Sequence, residues 1–265
     1  MLSPALLLFA AVDPTFLRHS LNDAAAVDSA LTTSTCRYHA VFGGKAPARG
    51  VARMAKLVIE PGGRCLETAF EGEEQNWFVL SGGGTLEHDG TKTPLKTDDF
   101  LYLPSGKRFT LAAGAKLEVL IMGFKVPKGK VGAPDVRIAN AAEVKKQVVG
   151  NHPPSTLYQL LIGDTKSTRD RIAAGAVVTS LFIMEITPGG TNTPHHHDRE
   201  EEMYVLLAGE GEMVAGSGMD GVEGKFPAKA GDAYFYRLNT TVGFYNTGST
   251  KARILAVRSL YPFNR

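Results

Sequence analysis

The chain has 265 residues, of which 43% are hydrophobic and 21% charged, a composition typical of a globular protein with a sizeable core. Its 29 basic and 27 acidic side chains nearly cancel, and Lys and Arg form no cluster, so we predict no nucleic-acid partner. The 29 glycines and 14 prolines favour many turns over long helices. The length fits one large or two small domains.

The longest apolar run, residues 5–12, is far shorter than the roughly 18 residues that cross a membrane, so we predict no membrane partner. It resembles the hydrophobic part of a secretion signal, but no Lys or Arg precedes it, and Phe9 fits a cleavage position poorly. We therefore predict a cytoplasmic protein, with secretion through residues 5–12 as the alternative. The two cysteines, Cys36 and Cys65, allow one disulfide.

An internal repeat divides the chain. Residues 61–63 recur at 188–190 and residues 77–84 at 204–211, both at an offset of 127. Residues 98–104 recur at 231–237 at an offset of 133, because a glycine-rich hairpin at 216–221 accommodates six extra residues. Three blocks in the same order with one gap indicate a duplicated unit.

Both units are predicted to be all-β, because their short apolar segments are rich in β-branched and aromatic residues and mostly bounded by turn residues. The predicted strands are residues 54–60, 76–80, 100–103, 117–124, 180–187, 203–207, 234–237 and 253–259. Many short strands suggest a sandwich or a small barrel. One helix is predicted over residues 141–149, between the units, with Asn140 as N-cap and Glu143 completing a capping box.

The second unit carries a pattern of metal ligands. His195 and His197 are two residues apart and share one face of a strand. Glu202 follows at an odd offset, so a turn must place it on the next antiparallel strand if it is to meet them. Two imidazoles and one carboxylate suit one divalent transition metal (Mn, Fe, Zn or Ni) and leave positions open for water, substrate or dioxygen.

Residues 189–209 resemble the first motif of the cupin superfamily, which combines H-x-H, a glutamate and two flanking glycines at fixed spacings. The positions that fall on this motif are Gly189, His195, His197, Glu202 and Gly209. The resemblance implies that the two histidines and the glutamate are metal ligands. With the repeat, it implies a bicupin of two tandem jelly-roll barrels, at residues 1–127 and 161–265, joined by a connector at 128–160 that holds the short helix.

The second cupin motif is incomplete, since Val242 stands where the family has a fourth, histidine ligand. Three ligands remain, resembling a 2-His-1-carboxylate site, and the replacement leaves both weaker metal binding and loss of the metal open. Alternation along the strands and replacement of the usual motif proline predict the substrate-pocket residues Tyr204, Leu206, Val242, Phe244, Asn246 and Arg237. For Arg237 a salt bridge at the rim is the alternative to binding a substrate carboxylate.

The first unit has lost the ligand pattern. Thr68, Phe70 and Gln75 stand where His195, His197 and Glu202 stand in the second unit, and Phe109 replaces the second-motif histidine. Only the Gln75 amide could coordinate a cation. We therefore predict that the first barrel is metal-free and structural.

The resemblance implies a metal-dependent enzyme that acts on a small polar metabolite bearing a carboxylate or a carbonyl. Hydrolase, isomerase and dioxygenase chemistry all remain open, and no catalytic residue is assigned. The outline is similar to the ureidoglycine aminohydrolase group, whose different ligand order makes that activity subordinate. The alternative is a non-catalytic bicupin that binds or stores a small ligand and keeps a vestigial site. Exposed sheet edges and apolar faces predict a homo-oligomer.

Overall fold

The computed structural model describes residues 14–45, 47–216 and 224–261, which form two stacked β units. The apolar run at 5–12 and residues 217–221 of the predicted hairpin lie outside the described residues. All eight predicted strands are present, and the prediction of an all-β fold is confirmed. Within the described part of the chain, no helix is long and apolar enough to span a membrane.

The first unit joins a seven-stranded sheet to a three-stranded sheet. The larger sheet has the order β11-β8-β5-β10-β4-β3-β2, and the smaller has the order β7-β6-β9. Their strands are β2 (Ala26–Val27), β3 (Cys36–Phe42), β4 (Val51–Ile59), β5 (Glu73–Ser81), β6 (Gly83–His88), β7 (Thr91–Lys96), β8 (Asp99–Leu103), β9 (Thr110–Ala113), β10 (Leu117–Lys125) and β11 (Arg137–Asn140).

The second unit repeats this arrangement. Its larger sheet has the order β1-β18-β15-β20-β14-β12-β13, and its smaller sheet has the order β17-β16-β19. Their strands are β1 (Phe16–Ser20), β12 (Thr156–Asp164), β13 (Ile172–Gly175), β14 (Val178–Ile186), β15 (Glu200–Ala208), β16 (Glu210–Ala215), β17 (Gly224–Lys229), β18 (Asp232–Tyr236), β19 (Val242–Tyr245) and β20 (Ala252–Leu260).

Alternation along the strands of the larger sheets produces three apolar cores. Inward side chains such as Trp77 fill the first barrel, and Tyr204 has the same place in the second. The opposite faces of the two larger sheets pack on each other, where Phe78 and Phe100 of the first unit join one core with Met203 and other residues of the second. Each larger sheet is therefore buried on both faces, which explains the nearly continuous apolar runs of its central strands.

One edge strand crosses between the units. β1 pairs with β18 of the second unit, from Phe16 opposite Tyr236 to Ser20 opposite Asp232. β11 follows the first barrel along the chain and pairs with β8 of that barrel. The division into residues 1–127, 128–160 and 161–265 stays a prediction, but β1 lies in the sheet of the second unit and β12 begins within the predicted connector.

The predicted helix at residues 141–149 is wrong in length. Only a 3-10 turn forms, at Ala141–Glu143, with the Asn140 side chain accepting a hydrogen bond from the Ala142 N–H as a predicted N-cap does. The Gln159 amide donates to the carbonyls of Ala141 and Val144, and Gln147 then pairs with Tyr158 of β12. Tertiary contacts thus satisfy the backbone groups that a longer helix would have paired.

Cys36 and Cys65 form a disulfide between β3 and the loop after β4, with a Cα–Cα distance of 5.1 Å. Both residues are buried in the core of the first barrel. The cytoplasmic location and the secreted alternative both stay predictions.

Candidate metal centre

The three predicted ligands come from two segments that the fold brings together at the open end of the second barrel. His195 forms a two-way backbone bridge with Val242 at the start of β19, and the Asn239 N–H donates to the His197 carbonyl. The chain then turns, and Glu202 lies on β15 in the larger sheet. This turn is the one that the odd spacing between His197 and Glu202 requires.

One ligand atom from each of His195, His197 and Glu202 lies within 4.8 Å of the other two. The His197 Nε2 and Glu202 Oε2 atoms are 3.3 Å apart, and both are buried without a well-formed hydrogen bond. Buried polar atoms are normally satisfied. A divalent cation would satisfy both atoms at once, so the donor set fits a mononuclear transition-metal site.

Hydrogen bonds fix the tautomers of two imidazoles at this site. The His195 Nδ1 lies 2.9 Å from the Thr193 carbonyl, and the His152 Nδ1 lies 3.0 Å from the Asn192 carbonyl. A carbonyl oxygen only accepts, so each Nδ1 carries the proton and each Nε2 keeps its lone pair. For His195 this is the backbone-held orientation that metal-ligating histidines commonly show.

The protonation states suit metal binding. Burial lowers the pKa of His195 and of His152, which favours the neutral ring. Burial alone would raise the pKa of Glu202, but the adjacent His197 side chain, together with Arg258, holds that pKa below its usual range. The carboxylate is therefore ionised, and the His195 ring is neutral, as cation binding requires.

A cavity of about 200 Å³ opens over the three ligands. Tyr204, a predicted pocket residue, lies in its wall. The remaining wall comes from the connector, from β12, β14 and β20, and from the loop before β13: Val149, Gly150, Asn151, His152, Tyr158, Leu160, Arg169, Phe182, Met184 and Arg258. This volume suits a metabolite of a few heavy atoms rather than a large ligand.

The other predicted pocket residues do not line this cavity. Leu206, Val242 and Phe244 are fully buried in the apolar core of the second barrel. Leu206 and Phe244 lie two residues further along their strands than Tyr204 and Val242, which places them about 7 Å deeper. The Asn246 amide donates to the Ile186 and Thr250 carbonyls away from the ligands. Arg237 is exposed to solvent.

Sequence reasoning missed two residues of the cavity wall, His152 and Arg258. The His152 ring packs edge-on against His195, with 5.4 Å between centroids. His152 belongs to the connector, so no spacing within the motif could reveal it. Alternation along β20 could have indicated that Arg258 points into the barrel, because Ile254 and Ala256 on the same strand do so.

In the first barrel an arginine lies beside the positions that correspond to the ligands. The Arg53 Nε and Nη2 donate to the two Glu73 carboxylate oxygens at 2.7 and 2.8 Å, and the guanidinium lies 3.7 Å from the Phe70 ring centroid. The Gln75 amide also donates to Glu73, and Trp77 donates to Gln75. A fixed cation therefore stands against Phe70, the counterpart of His197, and the metal-free first barrel stays a prediction.

A larger cavity of about 490 Å³ lies between the first barrel and the chain that follows β10. Its wall includes Glu74, Tyr102, Lys107 and Lys130. The one group of possible metal ligands found among the described residues lies in the second barrel instead. We therefore place the candidate site in the smaller cavity, because chemistry depends on convergent ligands more than on volume.

The fold and the site define a protein with two β barrels and a 2-His-1-carboxylate group in one of them. The family model for the cupin domain (Cupin_2) matches residues 55–122 and 182–258, more than half of the chain, and the chain belongs to the cupin family. One match in each unit confirms the predicted bicupin.

Among curated proteins, the oxalate-binding protein of Thermotoga maritima is 36% identical over 74 residues, which cover 28% of this chain and 56% of that protein. The match thus spans little more than half the length of this relative. Among solved structures, protein Ylba from E. coli has a TM-score of 0.69 and 17% identity, covering 96% of this chain and 95% of its own. Lactobacillus farciminis oxalate decarboxylase in its formate complex has a TM-score of 0.70 and 15% identity, covering 97% and 89%. At such low identities, the structural similarity shows a shared fold and nothing more.

Proposed function

We propose that this bicupin binds one divalent transition metal through His195, His197 and Glu202 and acts on a small polar metabolite bearing a carboxylate or a carbonyl. The observation that carries the proposal is the convergence of three ligand atoms within 4.8 Å, two of them buried and unsatisfied. A bound metal would polarise an oxygen of the metabolite as a Lewis acid, or handle dioxygen if it is iron. Hydrolase, isomerase and dioxygenase chemistry all fit this donor set.

The residues around the ligands divide the remaining tasks. His195 and Glu202 present lone pairs to the cavity, and the Thr193 carbonyl keeps the His195 ring in place. Phe182 and Tyr158 form an apolar wall that limits the water around a bound metabolite. His152, with its free Nε2, is the candidate for accepting a proton from a bound metabolite or water.

Metal analysis tests this proposal. Untagged protein, purified without chelator or immobilised metal, should contain about one equivalent of Mn, Fe, Zn or Ni. Glu202→Ala should lose the metal, whereas His196→Ala should keep it, because His196 lies between two ligands but is exposed. Less than about a tenth of an equivalent in the wild type, after metal is added back, would contradict the metal site.

A second candidate function is ligand binding without turnover. It is favoured by Val242 at the place of the fourth ligand and by the relative named as an oxalate-binding protein. Metal-loaded protein should then bind small carboxylates and return them unchanged. Incubation with such compounds, followed by product analysis in the presence and absence of dioxygen, separates the two functions. A homo-oligomer is part of either proposal.

A further inference from the structure

Arg258 carries a guanidinium into the second barrel beside the candidate metal ligands. It stands directly opposite Glu202 in the pairing of β20 with β15. Residues opposite each other in antiparallel strands have Cβ atoms about 5 Å apart. Arg258 also lines the cavity over the ligands, and its side chain is only 21% exposed. A positive charge therefore lies within reach of anything that binds at those ligands.

The two barrels each hold one internal Arg–Glu pair, but from opposite strands. In the first unit Arg53 on β4 stands opposite Gly123 on β10. In the second unit the corresponding positions are Ser180 on β14 and Arg258 on β20. The acidic partners, Glu73 and Glu200, occupy equivalent positions at the 127 offset. Arg53 with Glu73 is therefore the reference for a well-paired arginine at this place in the fold, with which Arg258 and Glu200 can be compared.

Arg258 is far less completely paired than Arg53. Its Nη1 lies 3.3 Å from a Glu200 oxygen, its guanidinium lies 5.4 Å from the Phe182 ring centroid, and its Nε is buried without a hydrogen-bond partner. The Arg53 group instead makes two short bonds to Glu73 and lies 3.7 Å from Phe70. A buried N–H that stays unpaired is costly. The surrounding protein therefore leaves hydrogen-bonding capacity of Arg258 unused, which a purely structural role does not explain.

We infer that Arg258 binds a carboxylate of the ligand and makes the site selective for small carboxylates that also present an oxygen to the metal ligands. This inference rests on the proposed function, since it places the second oxygen at the metal. A guanidinium pairs well with a carboxylate through parallel N–H donors. The cavity of about 200 Å³ limits the ligand to a few carbon atoms. Oxalate and malonate are therefore suitable probes.

The test compares Arg258→Gln with the matched variant Arg253→Gln. Arg253 lies on the same strand but is held by Asp98 at 2.9 and 3.0 Å, away from the cavity. Calorimetric titration of Mn-loaded protein should give a Kd for oxalate or malonate that rises at least about tenfold in Arg258→Gln and stays unchanged in Arg253→Gln. Oxamide, the neutral analogue of oxalate, should bind the wild type much more weakly. Metal content should be equal in all three proteins.

Several results would overturn the inference: no binding of either acid by the wild type, equal binding by Arg258→Gln, or oxamide binding as tightly as oxalate. A wild-type protein that binds no metal would contradict the proposed function, and this result is distinct from the three above. The same titrations on metal-free protein would then still decide the role of Arg258, because its loss must weaken anion binding with or without the metal.

Discussion

At the level of single residues, the mouths of the two barrels carry different groups at corresponding positions. In the first, Arg53 occupies the barrel mouth with Glu73 as its partner, and in the second the mouth presents His195, His197 and Glu202. A guanidinium makes its own hydrogen bonds and needs no ion. In the first barrel these hydrogen bonds satisfy the Glu73 carboxylate, while in the second barrel the His197 Nε2 and Glu202 Oε2 atoms are buried without partners.

Removing the first-barrel cation should therefore destabilise the chain. Arg53→Met keeps much of the side-chain volume but leaves the Glu73 carboxylate, only 16% exposed, without its partner. We expect the free energy of unfolding to fall by about 2–3 kcal/mol, measured by urea denaturation. Arg37→Met is the control, since it breaks the exposed Arg37–Glu60 pair and should cost less than about 1 kcal/mol. Equal effects of the two substitutions would contradict a structural role for Arg53.

The ligands themselves could be predicted from the sequence because the H-x-H spacing and the glutamate are local features. Of the rest of the cavity wall only Tyr204 could be predicted, because other wall residues, such as His152 in the connector and Arg258 on the last strand, lie outside the motif. Alternation correctly predicted that Phe244 and Leu206 point inward, but it does not predict how deep in the barrel a residue lies. Both residues are buried in the apolar core and not in the cavity wall. Depth depends on where the strands end relative to one another, which is a property of the whole sheet.

At the level of elements, the eight predicted strands are all inner strands of the two larger sheets. They are buried on both faces, so their sequences are rich in β-branched and aromatic residues. Short edge strands such as β2 and β11, with two and four residues, carry no such pattern. The predicted helix is limited to one 3-10 turn, because the Gln159 side chain on β12 donates hydrogen bonds to the carbonyls of Ala141 and Val144.

Strand β1, which crosses to the second unit, should be held there by a defined set of backbone hydrogen bonds. The Arg237 N–H donates to Thr15 and the Leu21 N–H donates to Gly231, at the two ends of the β1–β18 pairing. Hydrogen-bonded pairs alternate along an antiparallel ladder. The Leu17 N–H therefore points to Phe235, whereas the Arg18 N–H points to the free edge of the sheet.

Proline substitution tests this arrangement. Leu17→Pro removes a ladder bond and the contact of Leu17 with the core between the units, so we expect a loss of about 2–3 kcal/mol in the free energy of unfolding. Arg18→Pro keeps the ladder and loses the Arg18–Asp232 pair, in which Arg18 is 40% exposed, for about 1 kcal/mol or less. Urea denaturation measures both. A larger effect of Arg18→Pro would mean that β1 is paired in another register.

At the level of the whole molecule, the two larger sheets share one core and a buried carboxylate joins them. Glu74 on β5 accepts hydrogen bonds from the backbone N–H groups of Ala176, Val177 and Val178 in the second unit, at 2.6, 3.0 and 2.7 Å. Tyr102 on β8 is a titratable neighbour of the Glu74 carboxylate. Three donors converging on one carboxylate fix the loop before β14 against the first barrel, so the units are coupled by a polar contact as well as by apolar packing.

Glu74 should give the stability of the whole chain a pH dependence. Burial raises its pKa above the usual value near 4.5, although the three N–H donors oppose this. The folded state then binds more protons than the unfolded state as the pH rises from that value toward the raised pKa, so the free energy of unfolding falls across this window. Glu74→Gln cannot titrate, and its amide offers one acceptor for three donors. We expect it to cost about 1–3 kcal/mol, most at acid pH and less as the pH rises.

Urea denaturation of the wild type and Glu74→Gln between about pH 4 and pH 8 measures this difference, with the exposed Glu71→Gln as the control that should track the wild type. A difference that grows with pH would mean that the three N–H donors outweigh burial and hold the carboxylate ionised, because the sign of the slope reports which state of Glu74 the fold prefers. A difference that shrinks with pH would show that the contact between the units is strongest with Glu74 protonated, so that acidification strengthens the contact between the two barrels.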